Sequence, residues 1–198
     1  MNLTIKTLLY FFNFLEKFNT FFLRIGRQFA WIAIFLMVVV IMIQVFFRYV
    51  LNSALPWPDE VARFLMLWMT GLIAPSAYRW GGFVSIDMLE RFLPKIISTL
   101  LTLFLLIVSL FVLIIGLELG LKHINVGWIF NSASIKIPFN LIGGKAEPIK
   151  LAWMYMSLPV GIVFLISVNI ELILRNFLSN FTKLELPEDL DKQKLESQ

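Results

Sequence analysis

The chain has 198 residues, 59% of them hydrophobic and 15% charged, and its mean hydropathy is +0.84. A water-soluble domain typically has about a quarter of its residues charged, so this chain has too little polar surface to cover itself in water and needs lipid as its outer solvent. The formal net charge of +4 comes without a basic patch interleaved with aromatics, which argues against nucleic-acid binding. The absence of cysteine excludes disulfides, thiolate metal sites and a cysteine nucleophile.

Residues 1–27 mix apolar positions, among them Phe11, Phe12, Phe14, Phe18, Phe21 and Phe22, with Lys6, Asn13, Lys17, Thr20, Arg24 and Arg27. The polar set steps by seven, four, three, four and three, which is one narrow stripe on a helix. That pattern predicts an amphipathic helix lying in the membrane interface. A signal peptide does not fit, because no short apolar core is followed by a small-residue cleavage site.

Three uncharged runs follow, at 28–47, 96–117 and 151–170. A helix rises about 1.5 Å per residue, so about 20 residues cross a hydrocarbon core of roughly 30 Å, and each run is long enough to span. A fourth run, 64–78, is too short unless its helix also takes in Asp59, Glu60 and Arg63. Pro58 suits a first helical position, and the two acids meet the positive end of the helix dipole. The predicted fold is therefore an all-α integral membrane protein. It has an interfacial helix over 1–27 and a membrane domain over 28–175, with spans near 28–48, 58–79, 95–118 and 150–171. A polar tail follows over 176–198.

Lysine and arginine counts orient the chain. Segment 1–27, the connection 79–95 and the tail together hold eleven, and the opposite side holds six over longer sequence. The positive-inside rule then places both termini in the cytoplasm. In the cytoplasmic connection, Asp87 and Glu90 stand at capping-box spacing and predict a short helix ending near Pro94. The periplasmic stretch 119–149 mixes apolar residues with the turn signals Asn131, Pro138, Gly143, Gly144 and Pro148, and is expected to fold back along the surface or dip into the interface.

Arg48 closes the first span, and Asp59 and Glu60 open the second on the same side. Only ten residues, 49–58, lie between Arg48 and Asp59. Arg63 follows one turn into the helix, in reach of both acids. A cluster of two arginines and two acids is predicted there, with Trp57 anchoring it at headgroup level. Gly71, Ala74 and Ala77 form a small-residue face for close helix approach, and Gly116 and Gly120 form a GxxxG. These faces suit internal packing and packing on a partner equally. Pro75 and Pro159 with Gly161 allow kinks.

Catalytic parts are lacking. His123 is the one histidine, so two-histidine haem ligation within the chain is impossible. The sequence GGK at 143–145 lacks the Gly at 139 and the Ser or Thr at 146 that a P-loop needs. No acid or base is placed mid-span by this reading. No catalytic residue, cofactor or metal is expected. A scaffold in a larger transporter, an independent homo-oligomeric transporter or channel, and the anchor of a redox enzyme remain as classes. Few polar residues line the spans for the second, and the lone histidine speaks against the third.

One ordered set of residues resembles a known family. Phe47-Arg48-Tyr49, Asn52, Trp57-Pro58-Asp59-Glu60, Arg63, Trp68, Gly71, Ala77, Arg79 and Asp87 resemble the small membrane subunit of tripartite ATP-independent periplasmic (TRAP) transporters. Leu151-Ala152-Trp153-Met154-Tyr155 with Pro159-Val160-Gly161 is similar to that family's last-helix pattern. The resemblance covers roughly 28–175 and is nearest to members serving sialic acid. Phe83, where many members carry histidine, and Pro75, in place of a small residue, depart from it. The resemblance implies a non-catalytic subunit that braces a large elevator-type partner. That partner carries solute and sodium, and a periplasmic binding protein delivers the solute. Membrane lipids are the remaining expected contact.

Overall fold

The computed structural model describes residues 3–81, 94–137 and 147–181. The elements in chain order are α1 (Leu3–Tyr49), α2 (Trp57–Arg79), α3 (Lys95–Gly127), β1 (Asn131–Ile137), β2 (Glu147–Lys150), α4 (Ala152–Tyr155) and α5 (Ser157–Phe181). Four helical stretches among the described residues are long and apolar enough to cross a membrane: Lys6–Tyr49, Trp57–Arg79, Ile96–Gly127 and Ala152–Ser179.

The first difference from expectation lies in α1. No separate interfacial helix precedes the first span, because α1 is continuous over 47 residues, about 70 Å of helix. Nothing in the sequence breaks it near residue 27. Gly26, the one weak helix former there, is buried, and a Cβ on it would stand 3.3 Å from the Leu72 carbonyl oxygen. It serves a close approach.

The buried face of α1 is also distinct from the polar stripe read in the sequence. Phe12, Glu16, Asn19, Leu23, Gly26, Ala30 and Ala33 are buried, at steps of four and three residues. Phe14, Phe21, Trp31 and Phe35 point outward. In lipid the apolar rings belong outside, so the protein-facing stripe is free to carry polar groups.

The second difference is a small sheet. Helix α3 runs nine residues past the expected end, to Gly127, and β1 then pairs antiparallel with β2. Ile137 stands opposite Glu147, Lys136 opposite Pro148 and Asn131 opposite Lys150, with a register shift between the last two pairs. The expected all-α fold thus gains a two-stranded ribbon. The turn signals at 138–146 and the predicted helix beginning at Asp87 lie outside the described residues.

The last span also starts differently. One helical turn, α4, ends at Tyr155, and α5 begins at Ser157, whose hydroxyl donates to the Met154 carbonyl at 2.9 Å. Pro159 therefore lies in the first turn of α5, where a missing N–H costs little. Tyr155, where α4 ends, is four residues before Pro159, and its carbonyl is the one that this proline cannot engage in a continuous helix.

The contacts divide the chain into two compact units. One holds the described parts of Met1–Ile25, Ala74–Ile115 and Ile162–Gln198; the other holds Gly26–Ile73 and Gly116–Gly161. The first has an apolar centre of Leu23, Tyr78 and Val168, flanked by Leu106, Leu165 and Leu172.

Candidate functional site

Beside that apolar centre, three helices bring charged side chains together out of solvent. Arg79, the last residue of α2, donates from Nη2 to Glu171 Oε1 at 2.7 Å and from Nε to the same oxygen at 3.1 Å. Both side chains are 1% exposed. Arg79 Nη1 donates to Thr20 Oγ1 at 2.8 Å. The second carboxylate oxygen of Glu171 accepts from Asn19 Nδ2 at 2.7 Å. Asn19 Oδ1 in turn accepts from the Ser167 hydroxyl at 2.6 Å. One turn after Glu171, Arg175 Nη2 donates to Glu16 Oε1 at 3.0 Å, and its guanidinium lies 5.7 Å from the centre of the Phe12 ring.

These positions follow from local structure. Steps of three and four along α1 put Glu16 and Asn19 on the protein-facing stripe, and Ser167, Glu171 and Arg175 repeat every four residues on α5. Glu171 is engaged on both oxygens, which is the condition under which a buried ion pair is tolerated. Arg79 thus pairs with Glu171, and Arg175 with Glu16. A neighbouring chain of weaker bonds runs from Asn169 Nδ2 to the Tyr78 hydroxyl at 2.5 Å, with Ser109 Oγ 3.4 Å from that hydroxyl.

The other unit contains most of the residues singled out in the sequence, and it uses backbone more than charge. A Cβ on Gly71 would stand 2.5 Å from the Ser157 carbonyl oxygen, and one on Gly161 would stand 2.7 Å from the Gly71 carbonyl oxygen. Helices α2 and α5 thus meet backbone to backbone. Gly120 faces Pro159 at ordinary contact distance. Trp68 Nε1 donates to the Trp153 carbonyl at 3.1 Å, and the Trp153 ring packs edge-on to Trp128 at 6.3 Å. Tyr155 packs on His123, with ring centres 4.2 Å apart. Ala74, which belongs to the first unit, is half-buried.

The predicted four-charge cluster does not form. Asp59 accepts from Gln44 Nε2 at 2.7 Å. Glu60 accepts from the Ser134 backbone N–H at 2.9 Å and from the Ser134 hydroxyl, which ties the start of α2 to the β ribbon. Arg48 lies against the Tyr49 ring, 5.9 Å from its centre, and Arg63 is exposed. Among the described residues neither arginine bridges to Asp59 or Glu60. The acids found neutral hydrogen-bond partners on other elements, one of which belongs to a ribbon the sequence reading lacked. Trp57 opens α2 and is half-buried. Asp87 lies outside the described residues.

Sequence reasoning singled out Arg79 but missed its partners. It took Glu171 as the boundary of an apolar run and Thr20 as water-facing, and it placed no acid mid-span. The available signals were the four-residue spacing of Glu171 and Arg175 and the presence of Glu16 and Asn19 on one heptad-like stripe with Phe12, Leu23 and Ala30.

Among the described residues no group of three His, Asp or Glu side chains is placed to hold a metal. Four long apolar helical stretches, joined by buried side chains and by close backbone contact, are the features of a multi-span membrane protein. The family model described as "Tripartite ATP-independent periplasmic transporters, DctQ component" matches residues 37–179, nearly three quarters of the chain. The chain belongs to this family: it is the small membrane component of a TRAP system, a non-enzymatic, multi-pass protein of the bacterial inner membrane. A tripartite system implies a DctM component and a periplasmic binding protein as partners in general. No curated protein matches the chain. The matched segment includes Arg79, Ser167, Glu171 and Arg175, while Glu16, Asn19 and Thr20 precede it.

Proposed function

We propose that this subunit transports nothing by itself and braces the large membrane component of a sodium-driven importer of organic acids. The observation that carries this reading is the mutual engagement of Arg79, Glu171, Glu16 and Arg175. A group that binds and releases an ion or proton must change partners during the cycle, whereas these charges hold one another between α1, α2 and α5. The outward surface supports the same reading. The most apolar window of α3 buries none of its residues, and Phe104, Phe111 and Val112 face outward, ready to meet lipid or a partner's helices. The binding protein delivers solute at the periplasmic side, and both termini lie in the cytoplasm. Sialic acid is the solute class favoured by the sequence resemblance.

The test is uptake of sialic acid into proteoliposomes under an inward sodium gradient. The chain alone is expected to give none, and the chain with its large partner and binding protein is expected to give sodium-dependent uptake. Uptake by the chain alone overturns the reading. A complete system that takes up a different organic acid removes the sialic acid assignment and leaves the bracing role intact.

A further inference from the structure

We infer that the outward face of α2 is where a transmembrane helix of the large membrane component docks, and that this helix presents a carboxylate to Arg63. The inference rests on the bracing role and says which face of the chain carries it. Arg63, Met66, Leu67, Thr70 and Ile73 are exposed along one stripe of α2, at steps of three and four residues. Among the described residues the Arg63 guanidinium has no ion-pair or hydrogen-bond partner. The two acids nearest it in sequence are engaged elsewhere, Asp59 by Gln44 and Glu60 by Ser134. Depth makes this exposure costly. The 23 residues of α2 give about 33 Å of helix against a hydrocarbon core of roughly 30 Å, so only about 3 Å of it can lie outside the core. Arg63 comes six residues after Trp57, about 9 Å along the axis, and so its Cα lies about 6 Å or more inside. A charge at that depth is stabilised by a partner or by protein around it and not by hydrocarbon.

The other long helices supply the contrast. Every exposed residue of α1 between Phe29 and Phe46, of α3 between Ile96 and Ile115 and of α5 between Leu158 and Val163 is apolar. Such faces suit acyl chains, whereas α2 is the least apolar of the four spans. A phospholipid phosphate is the rival partner for Arg63, since a long side chain reaches back toward the headgroups. It has nothing to offer Thr70, seven residues and about 10 Å deeper on the same stripe. The Thr70 hydroxyl donates to the Met66 carbonyl at 2.9 Å and keeps its oxygen free to accept from a neighbouring helix. A protein helix meets both positions. The stripe fits one with Asp or Glu at the level of Arg63 and a small or hydrogen-bond-donating residue at the level of Thr70.

The experiment uses the complete transporter in its membrane. The photoreactive residue p-benzoylphenylalanine is incorporated at position 67 on α2 or at position 111 on α3, and the products of illumination are identified by mass spectrometry. Position 67 is expected to cross-link to the large component and position 111 to lipid. In parallel, the large component recovered with the small subunit is measured for two variants. Arg63→Ala is expected to lower it about tenfold or more, and Arg63→Lys, which keeps the charge, to lower it less. The melting temperature of the purified small subunit is expected to change little in either. The inference is overturned if position 67 labels phospholipid alone, or if position 111 cross-links to the large component at least as strongly. It is equally overturned if Arg63→Ala recovers the complex at the wild-type level, or if Arg63→Lys loses as much as Arg63→Ala. These readouts report contact and not uptake, so the bracing role can fail in the uptake assay while the docking face stands, and the reverse.

Discussion

In the unit that contains Arg79, three helices are joined through charged side chains; in the unit that contains Gly71, two helices are joined through bare backbone. The charged junction is long-reaching and mutually dependent. Arg79 and Asn19 both donate to Glu171, so removing Glu171 takes a buried acceptor from each. The glycine junction depends on shape alone. No side chain lies between Gly71 and Gly161, so any added atom must force the helices apart. In lipid, where apolar side chains gain little by leaving one neighbour for another, these are the two remaining ways to specify a contact.

The comparison orders the expected effects of substitution. Glu171→Leu takes from the buried Arg79 guanidinium the carboxylate that accepts from its Nε and Nη2, and is expected to lower the stability of the purified chain by about 3–5 kcal/mol. Arg79→Met combined with Glu171→Leu is expected to recover most of that loss, leaving the Asn19 amide and Thr20 hydroxyl to be satisfied otherwise. Thermal unfolding in detergent measures both, and equal destabilisation by the single and double variants would show that the pair is not coupled.

Gly161→Ala is expected to cost about 1–3 kcal/mol, since its methyl group meets backbone that has no rotamer to yield. Disulfide trapping between cysteines introduced on α2 and α5 near this crossing is expected to weaken in the alanine variant; unchanged trapping argues that the helices have room. Glu60→Gln is expected to cost about 1 kcal/mol, through weaker acceptance from Ser134. Hydrogen exchange at the Ser134 amide reads it directly, and an unchanged exchange rate removes Glu60 as the tie to the ribbon. The smallest effect is expected for Arg63→Ala, within about 0.5 kcal/mol, because this exposed arginine bridges to neither nearby acid. A large drop in melting temperature would restore the four-charge cluster.

The four spans were legible because the bilayer sets a length that uncharged runs must meet, and Gly71 was legible as a small residue on a helix face. The partners of Arg79 were not, for a reason peculiar to membranes. In water a glutamate beside phenylalanines marks the solvent-facing edge of an amphipathic helix. Here Phe14 and Phe21 face outward while Glu16 and Asn19 face the protein, so the usual assignment of faces is reversed. Thr20 was assigned to the water-facing stripe and instead accepts from Arg79. The ribbon escaped notice because β2 is only four residues long and contains Pro148, too short for alternation to register. The acids at 59 and 60 were correctly placed at the start of α2. Their partners, Gln44 and Ser134, lie 15 and 74 residues away, beyond the reach of helical spacing rules.

The central claim is that the buried charges hold helices together and take no part in moving solute. The complete transporter carrying Arg79→Met with Glu171→Leu tests it most directly, with sodium-driven uptake measured alongside the amount of assembled complex. The account predicts that the double variant assembles and retains uptake in proportion to the complex formed, whereas Glu171→Leu alone loses both together. A double variant that assembles at the normal level and takes up nothing would contradict it, and would make Arg79 and Glu171 part of the transport path.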